Sequence, residues 1–186
     1  MNSSMSPIDW KKYKRVTVFV DAANVIYSLR DLKWKIDYKR LKKYFETNAK
    51  LVDVYFYSAY FDTDLGRKNL IEMLARKGFR VRAKEVKSIK RDDGTLLHKA
   101  NCDVELTMDA MLVHKTFDTA VIMSGDSDFV PLINYLKSNG KQVMIISSRG
   151  HVAKEVIQAA DLFKNFGSFK QVWELKSKNP DKRGSR

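Results

Sequence analysis

A single cysteine, three histidines and no long apolar run set the first limits on this 186-residue chain. Cys102 has no partner for an internal disulfide, and one thiol cannot build a thiolate zinc cage. A lone thiol suits a reducing compartment, so the cytoplasm is the expected location. His98, His114 and His151 form no ligand-spaced pair, which leaves zinc chemistry little support. No apolar stretch approaches the about 20 residues of a membrane helix, so no membrane partner is expected. Met1–Pro7 carries no apolar signal core, and no internal repeat is visible. Acid is scarce too: 22 Asp+Glu stand against 35 Lys+Arg, for a formal net charge of +13. That balance favours an anionic partner, nucleic acid before an acidic membrane surface. A basic surface that only keeps the chain soluble is the competing explanation.

What is present is an alternation of strand-like and helix-like stretches. A hydrophobic fraction of 44% is enough for one domain with a proper core. Val16–Val20 and Leu51–Tyr60 read as strands, as do the apolar runs 119–123 and 141–147. Residues 79–86 alternate apolar and charged, the pattern of a half-exposed edge strand. Asp37 is placed to cap a helix over 37–48, and Asp62 or Thr63 another that runs to about Lys77 and closes at Gly78. Asn101 reads as the cap of a helix over 102–113, with Val104, Met108, Met111 and Leu112 at core spacing. Between the last two elements, residues 87–99 form a hairpin pattern with its turn at Asp93-Gly94. Its flanks carry Lys87, Lys90, Arg91, His98 and Lys99, which serve either as an RNA-gripping arm or as a solvated ribbon. The alternation implies a central, mainly parallel sheet of five to six strands with helices on both faces, a three-layer α/β/α architecture. Residues 1–15 read as a basic lead-in, 16–168 as the domain, and 169–186 as a basic tail. Trp34 and Trp173 are candidates either for a homodimer face or for core and tail packing.

Four acids fall at element junctions. Asp21 closes the strand 16–20, and Asp126 follows the strand 119–123 after Ser124-Gly125. In a parallel sheet both lie on the edge where α/β proteins build their sites. Asp128 sits at the start of the next helix, and Asp103 in the first turn of the helix after Asn101. For Asp103 and Asp128 a favourable helix-dipole contact is the alternative role. Asp21 has no such reason to be there, since an acid at the end of a buried strand gains nothing from burial. Carboxylates crowded on one edge need a counter-charge, and a hard divalent cation with oxygen ligands, Mg²⁺ or Mn²⁺, suits them. The turn Asp21-Ala22-Ala23-Asn24 contains no glycine, which excludes a Gly-rich phosphate cradle.

Three segments carry a family resemblance. Val18-Phe19-Val20-Asp21-Ala22-Ala23-Asn24, Lys99-Ala100-Asn101-Cys102-Asp103-Val104-Glu105-Leu106 and Ser124-Gly125-Asp126-Ser127-Asp128-Phe129-Val130-Pro131-Leu132 resemble, in order, the three motifs of the NYN domain. This is a branch of the PIN-like ribonuclease superfamily, and the likeness is to its LabA-like group. Ala100 stands where that family usually has glycine. The resemblance implies a PIN-like fold and metal-dependent hydrolysis of RNA that leaves 5′-phosphate and 3′-hydroxyl ends; single-stranded RNA cut internally is the leading expectation, with exonuclease action left open. It implies that Asp21, Asp103 and Asp126 are the principal metal ligands or acids that orient the ligands. Asp128 would be a fourth catalytic acid, and Asn24 would orient a ligand, a water or the scissile phosphate. Ser124 and Ser127 serve either substrate or turn chemistry, and Asp109 a structural role before a catalytic one. Two other readings stay open: an RNA-binding or regulatory protein of this fold without useful catalysis, and a phosphatase of the haloacid dehalogenase type. The second lacks its general acid, because position 23 is alanine.

Overall fold

The computed structural model describes residues 8–90 and 96–176, with backbone alone at 88–90 and 96–99. Six strands form one wholly parallel sheet: β1 (Arg15–Asp21), β2 (Lys50–Tyr60), β3 (Arg80–Glu85), β6 (Thr119–Met123), β7 (Gln142–Ser147) and β8 (Leu162–Asn165). Their order is β3-β2-β1-β6-β7-β8. A separate antiparallel ribbon joins β4 (Lys87–Lys90) to β5 (Leu96–Lys99). The helices are α1 (Ala22–Asp31), α2 (Tyr38–Asn48), α3 (Leu65–Arg76), α4 (Asp103–Val113), α5 (Val130–Ser138), α6 (Lys154–Ala159) and α7 (Lys170–Trp173).

The apolar runs are unbroken because both faces of the sheet are covered. Side chains alternate between two cores. Val16, Val18 and Val20 join Val54, Phe56, Val121, Met123, Met144 and Ile146 on one side. Phe19 joins Tyr57, Ala120, Ile122, Val143 and Ile145 on the other. The order places β1 beside β6, with the chain running outward from β1 through β2 to β3 and from β6 through β7 to β8. The carboxyl ends of β1 and β6 therefore flank the point where the winding reverses, which is where a crevice opens in such sheets.

Several expectations need correction. Trp10 and Arg15 are not part of a loose lead-in: Trp10 is buried, and Arg15 opens β1 with a two-pronged ion pair to Asp118 at 2.9 Å. Phe169 and Trp173 belong to the first core, so packing continues past residue 168. Trp34 and Trp173 are both buried, which removes them as a dimer face. Asp64, not Asp62 or Thr63, caps α3 by accepting from the Arg67 N–H. The Asp37 cap is as expected, accepting from Lys39 and Arg40.

The largest difference lies in α4. Val104 (62% exposed), Met108 (56%) and Leu112 (74%) face outward, with Met111 beside them, while Leu106, Asp109 and Ala110 are buried. The cause is polar. Asp109 accepts from the Tyr57 hydroxyl at 3.1 Å and from Arg82 through two nitrogens at 3.1 and 3.2 Å. An acid so satisfied occupies the inner face and turns the apolar stripe out. This is the structural role expected for Asp109.

Candidate functional site

Asp21 is the last residue of β1 and the N-cap of α1, its carboxylate accepting from the Asn24 N–H at 3.2 Å. Its second oxygen accepts from the Ser124 hydroxyl at 3.0 Å, across the β1–β6 junction. The Ser124 oxygen in turn accepts from the Asp126 N–H at 3.3 Å. Asn24 completes the lacing: its side-chain oxygen accepts from the Gly125 N–H at 3.0 Å. Asp126 caps the following turn, Ser127–Phe129, by accepting from the Asp128 N–H at 3.0 Å. Ser124 is thus a buried bridge between two acids, while Ser127 and Asp128 are exposed.

Gly125 has a steric reason to be glycine. A Cβ there would stand 2.0 Å from the His151 carbonyl oxygen and 2.7 Å from the Val152 Cα. The segment after β7 lies directly over the turn, and the Ala153 N–H donates to the Gly125 carbonyl at 2.9 Å.

Asp103 enters from the other side at the start of α4. Asn101 does not cap that helix; Cys102 is the N-cap residue and makes no side-chain cap bond. The Asn101 amide instead donates to the Asp103 carboxylate at 2.6 Å, which sets its direction. Glu105 turns away to pair with Lys84 at 2.6 Å, and this bond holds its carboxyl below the usual range.

The electrostatics tie the acids together. Burial first, then the nearby negative charges of Asp21, Asp126 and Asp128, push the Asp103 carboxyl up to about 6. Burial likewise raises Asp21, against the bonds from Asn24 and Ser124, and Asp126 adds to the rise. The sheet edge therefore brings Asp21, Asp126 and Asp128 within electrostatic reach of Asp103, and Asp126 within reach of Asp21. None of the four is in an ion pair among the described residues. Among the described residues no three His, Cys, Asp or Glu side chains stand close enough together to hold a metal ion as they are. The donors are nevertheless all oxygen and carry excess negative charge, a set that by its chemistry fits a hard divalent cation.

The basic ribbon is only partly described. Lys87 is exposed and pairs in register with Lys99, and Ser88 pairs with His98. Lys90 lies opposite Leu96. Arg91 and the Asp93-Gly94 turn lie outside the described residues. Among the described residues no helix is long and apolar enough to cross a membrane.

Known proteins bear on this arrangement. Residues 15–166 match the family model of the NYN domain. The chain is 26% identical over 171 residues to the low amplitude and bright protein LabA of Synechococcus elongatus, covering 90% of this chain and 91% of the relative. The crystal structure of VPA0982, a protein of unknown function from Vibrio parahaemolyticus, superposes with a TM-score of 0.70 at 23% identity. That superposition covers 92% of this chain and all of the other, and it shows a shared fold. With its α/β sheet, its acid-bearing edge and a family match over most of its length, this chain belongs to the NYN domain family and has the PIN-like nuclease fold.

Proposed function

We propose that this protein is a ribonuclease that hydrolyses phosphodiester bonds within single-stranded RNA with the help of Mg²⁺ or Mn²⁺. The observation that carries the reading is the convergence of Asp21, Asp103, Asp126 and Asp128 at one sheet edge, without an ion pair among the described residues, in a chain of net charge +13. The basic surface gathers the polyanion through counterion release. Asp21, Asp103 and Asp126 would hold the cation, which when bound activates water and offsets charge on the phosphoryl oxygens. Ser124 keeps Asp21 and Asp126 in register through its two hydrogen bonds. Asn24 has its side-chain oxygen committed to Gly125, which leaves its amide group to donate to a phosphate oxygen. Asp128, exposed beside Asp126, would accept a proton from water. Lys87, Lys90, His98 and Lys99 of the ribbon, together with Arg91, would hold the strand.

One observation favours a second reading, RNA binding without useful cleavage: the acids do not stand at coordinating distance as they are. Labelled single-stranded RNA incubated with Mn²⁺ separates the two. Wild type should cleave and Asp126→Asn should lose cleavage by about 100-fold or more, as expected for loss of a transition-state stabilising group. Equal cleavage by both would sink the nuclease reading.

A further inference from the structure

A cavity of about 690 Å³ opens between α1, the turn that follows it and the amino end of α3. Ile26, Leu29, Trp34, Ile36 and Leu70 make its walls apolar. Its rim carries Arg30, Lys33, Lys35 and Arg67. None of these four cations has an acidic partner among the described residues; Arg30 packs on the Tyr27 ring at 4.9 Å. Asp64 also borders the cavity, but its carboxylate is engaged in capping α3. The volume suits one small ligand, within the about 300–1,000 Å³ of such sites. The charge calls for an anion and the walls for an apolar or aromatic body.

A turn of the backbone shapes the rim. At the end of α1, the Trp34 N–H donates to the Leu29 carbonyl at 3.5 Å and the Lys33 N–H to the Arg30 carbonyl at 3.2 Å. Lys33 takes a φ of 55°. Glycine is the usual residue at that point of such a turn, and any side chain there is strained. The turn caps α1 and fixes the Lys33 backbone on the rim of the cavity.

One end of the cavity approaches the acids. From the Asp21 cap, at about 1.5 Å of rise per residue, Ile26 is about 7.5 Å along the α1 axis and Arg30 about 13.5 Å. α3 follows the carboxyl end of β2, so Arg67 in its first turn is on the same sheet edge as Asp21. Tyr38, which lines the cavity, feels the charges of both Arg67 and Asp21.

We propose that this cavity seats one nucleotide of the single-stranded RNA, base against Ile26, Trp34 and Leu70, phosphate among Arg30, Lys33 and Arg67, and so sets where the strand crosses the acids. The assignment rests on the RNA reading above. It is tested without cleavage, by anisotropy of a short labelled single-stranded RNA in EDTA over a range of salt. Replacing Arg30 and Arg67 together by alanine should weaken binding about tenfold and flatten the slope of log K on log salt by roughly 0.7, the contribution of one phosphate contact on a single strand. Leu70→Trp fills the cavity and should weaken binding with the slope unchanged. Lys33→Gly relieves the turn, so it should raise the melting temperature while weakening binding. Wild-type affinity in the arginine double variant and in Leu70→Trp would overturn the proposal. So would a free nucleoside monophosphate that binds as tightly as the RNA, because the cavity would then serve a free nucleotide. If Asp126→Asn cleaves like wild type while these binding changes appear, the nuclease reading falls and the RNA seat stands.

Discussion

Asp103→Asn should make the metal-free protein more stable, though it removes an acid on which the proposed activity depends. The Asp103 carboxyl is raised from 3.8 to about 6 by burial and by Asp21, Asp126 and Asp128. A folded-state value above the unfolded one means that the native protein binds more protons between those limits. Stability therefore falls as pH rises through the window, and the full cost is present at pH 7.5. At about 1.4 kcal/mol per pKa unit, the ceiling on that cost is about 3 kcal/mol. Asp103 is half-buried, and solvent screening brings the working figure to roughly 1 kcal/mol. Asparagine keeps a side-chain oxygen to accept from Asn101, so the variant loses the charge with little else. For a chain of this size the gain is about 3 °C in melting temperature. The assay is thermal unfolding of both proteins in EDTA at pH 7.5 and pH 4.5. The variant should melt higher at pH 7.5, and the gap should shrink to about a third at pH 4.5, where Asp103 is protonated in the fold but still largely ionised in the unfolded chain, and close only below about pH 3.8. With Mn²⁺ in hundredfold excess over its dissociation constant, the wild type should gain about 2.7 kcal/mol and overtake the variant. A variant that melts at or below wild type at pH 7.5, or a gap of equal size at both pH values, would refute the reasoning.

Other outcomes follow from the same geometry. Gly125→Ala forces a methyl against the His151 carbonyl, and should cost about 3 kcal/mol in denaturant unfolding while disabling the Asp126 turn. Leu106→Ala should cost about 2–5 kcal/mol, whereas Leu112→Lys should change stability by less than about 0.5 kcal/mol; equal effects would mean that α4 is rotated differently. Asp118 is held well below the usual carboxylate range by its bonds to Arg15. Because its folded value is depressed, the stability it contributes is present above the ordinary Asp range and is lost as pH falls. Asp118→Asn should thus cost about 1 kcal/mol at neutral pH, with the difference from wild type shrinking in acid unfolding below about pH 4.

The strands were readable because burial on both faces leaves a continuous apolar run, a signal that needs no knowledge of neighbours. Asp21 and Asp126 were readable for a related reason: each ends such a run. α4 was not. Its apolar residues Val104, Met108, Met111 and Leu112 share a helical stripe, yet the stripe faces out, because the buried face is held by Asp109. Asp109 finds Tyr57 at a separation of 52 residues and Arg82 at 27. No periodicity count can anticipate an acid whose cost of burial is met by distant partners. The Asn101 cap differs for a local reason: its amide donates to Asp103, two residues on, instead.

Chain order and local pattern alone determined the alternating α/β class, the net charge that favours a polyanion, and the three motifs that carry the family. These depend on neighbours in sequence, so they survive without coordinates. Tertiary structure decided the rest. It set β1 beside β6, made Ser124 the bridge between Asp21 and Asp126, required glycine under the His151 carbonyl, and joined α1 to α3 around a cationic cavity. Each of these is a meeting of residues far apart in the chain, brought about by the burial of two shared cores.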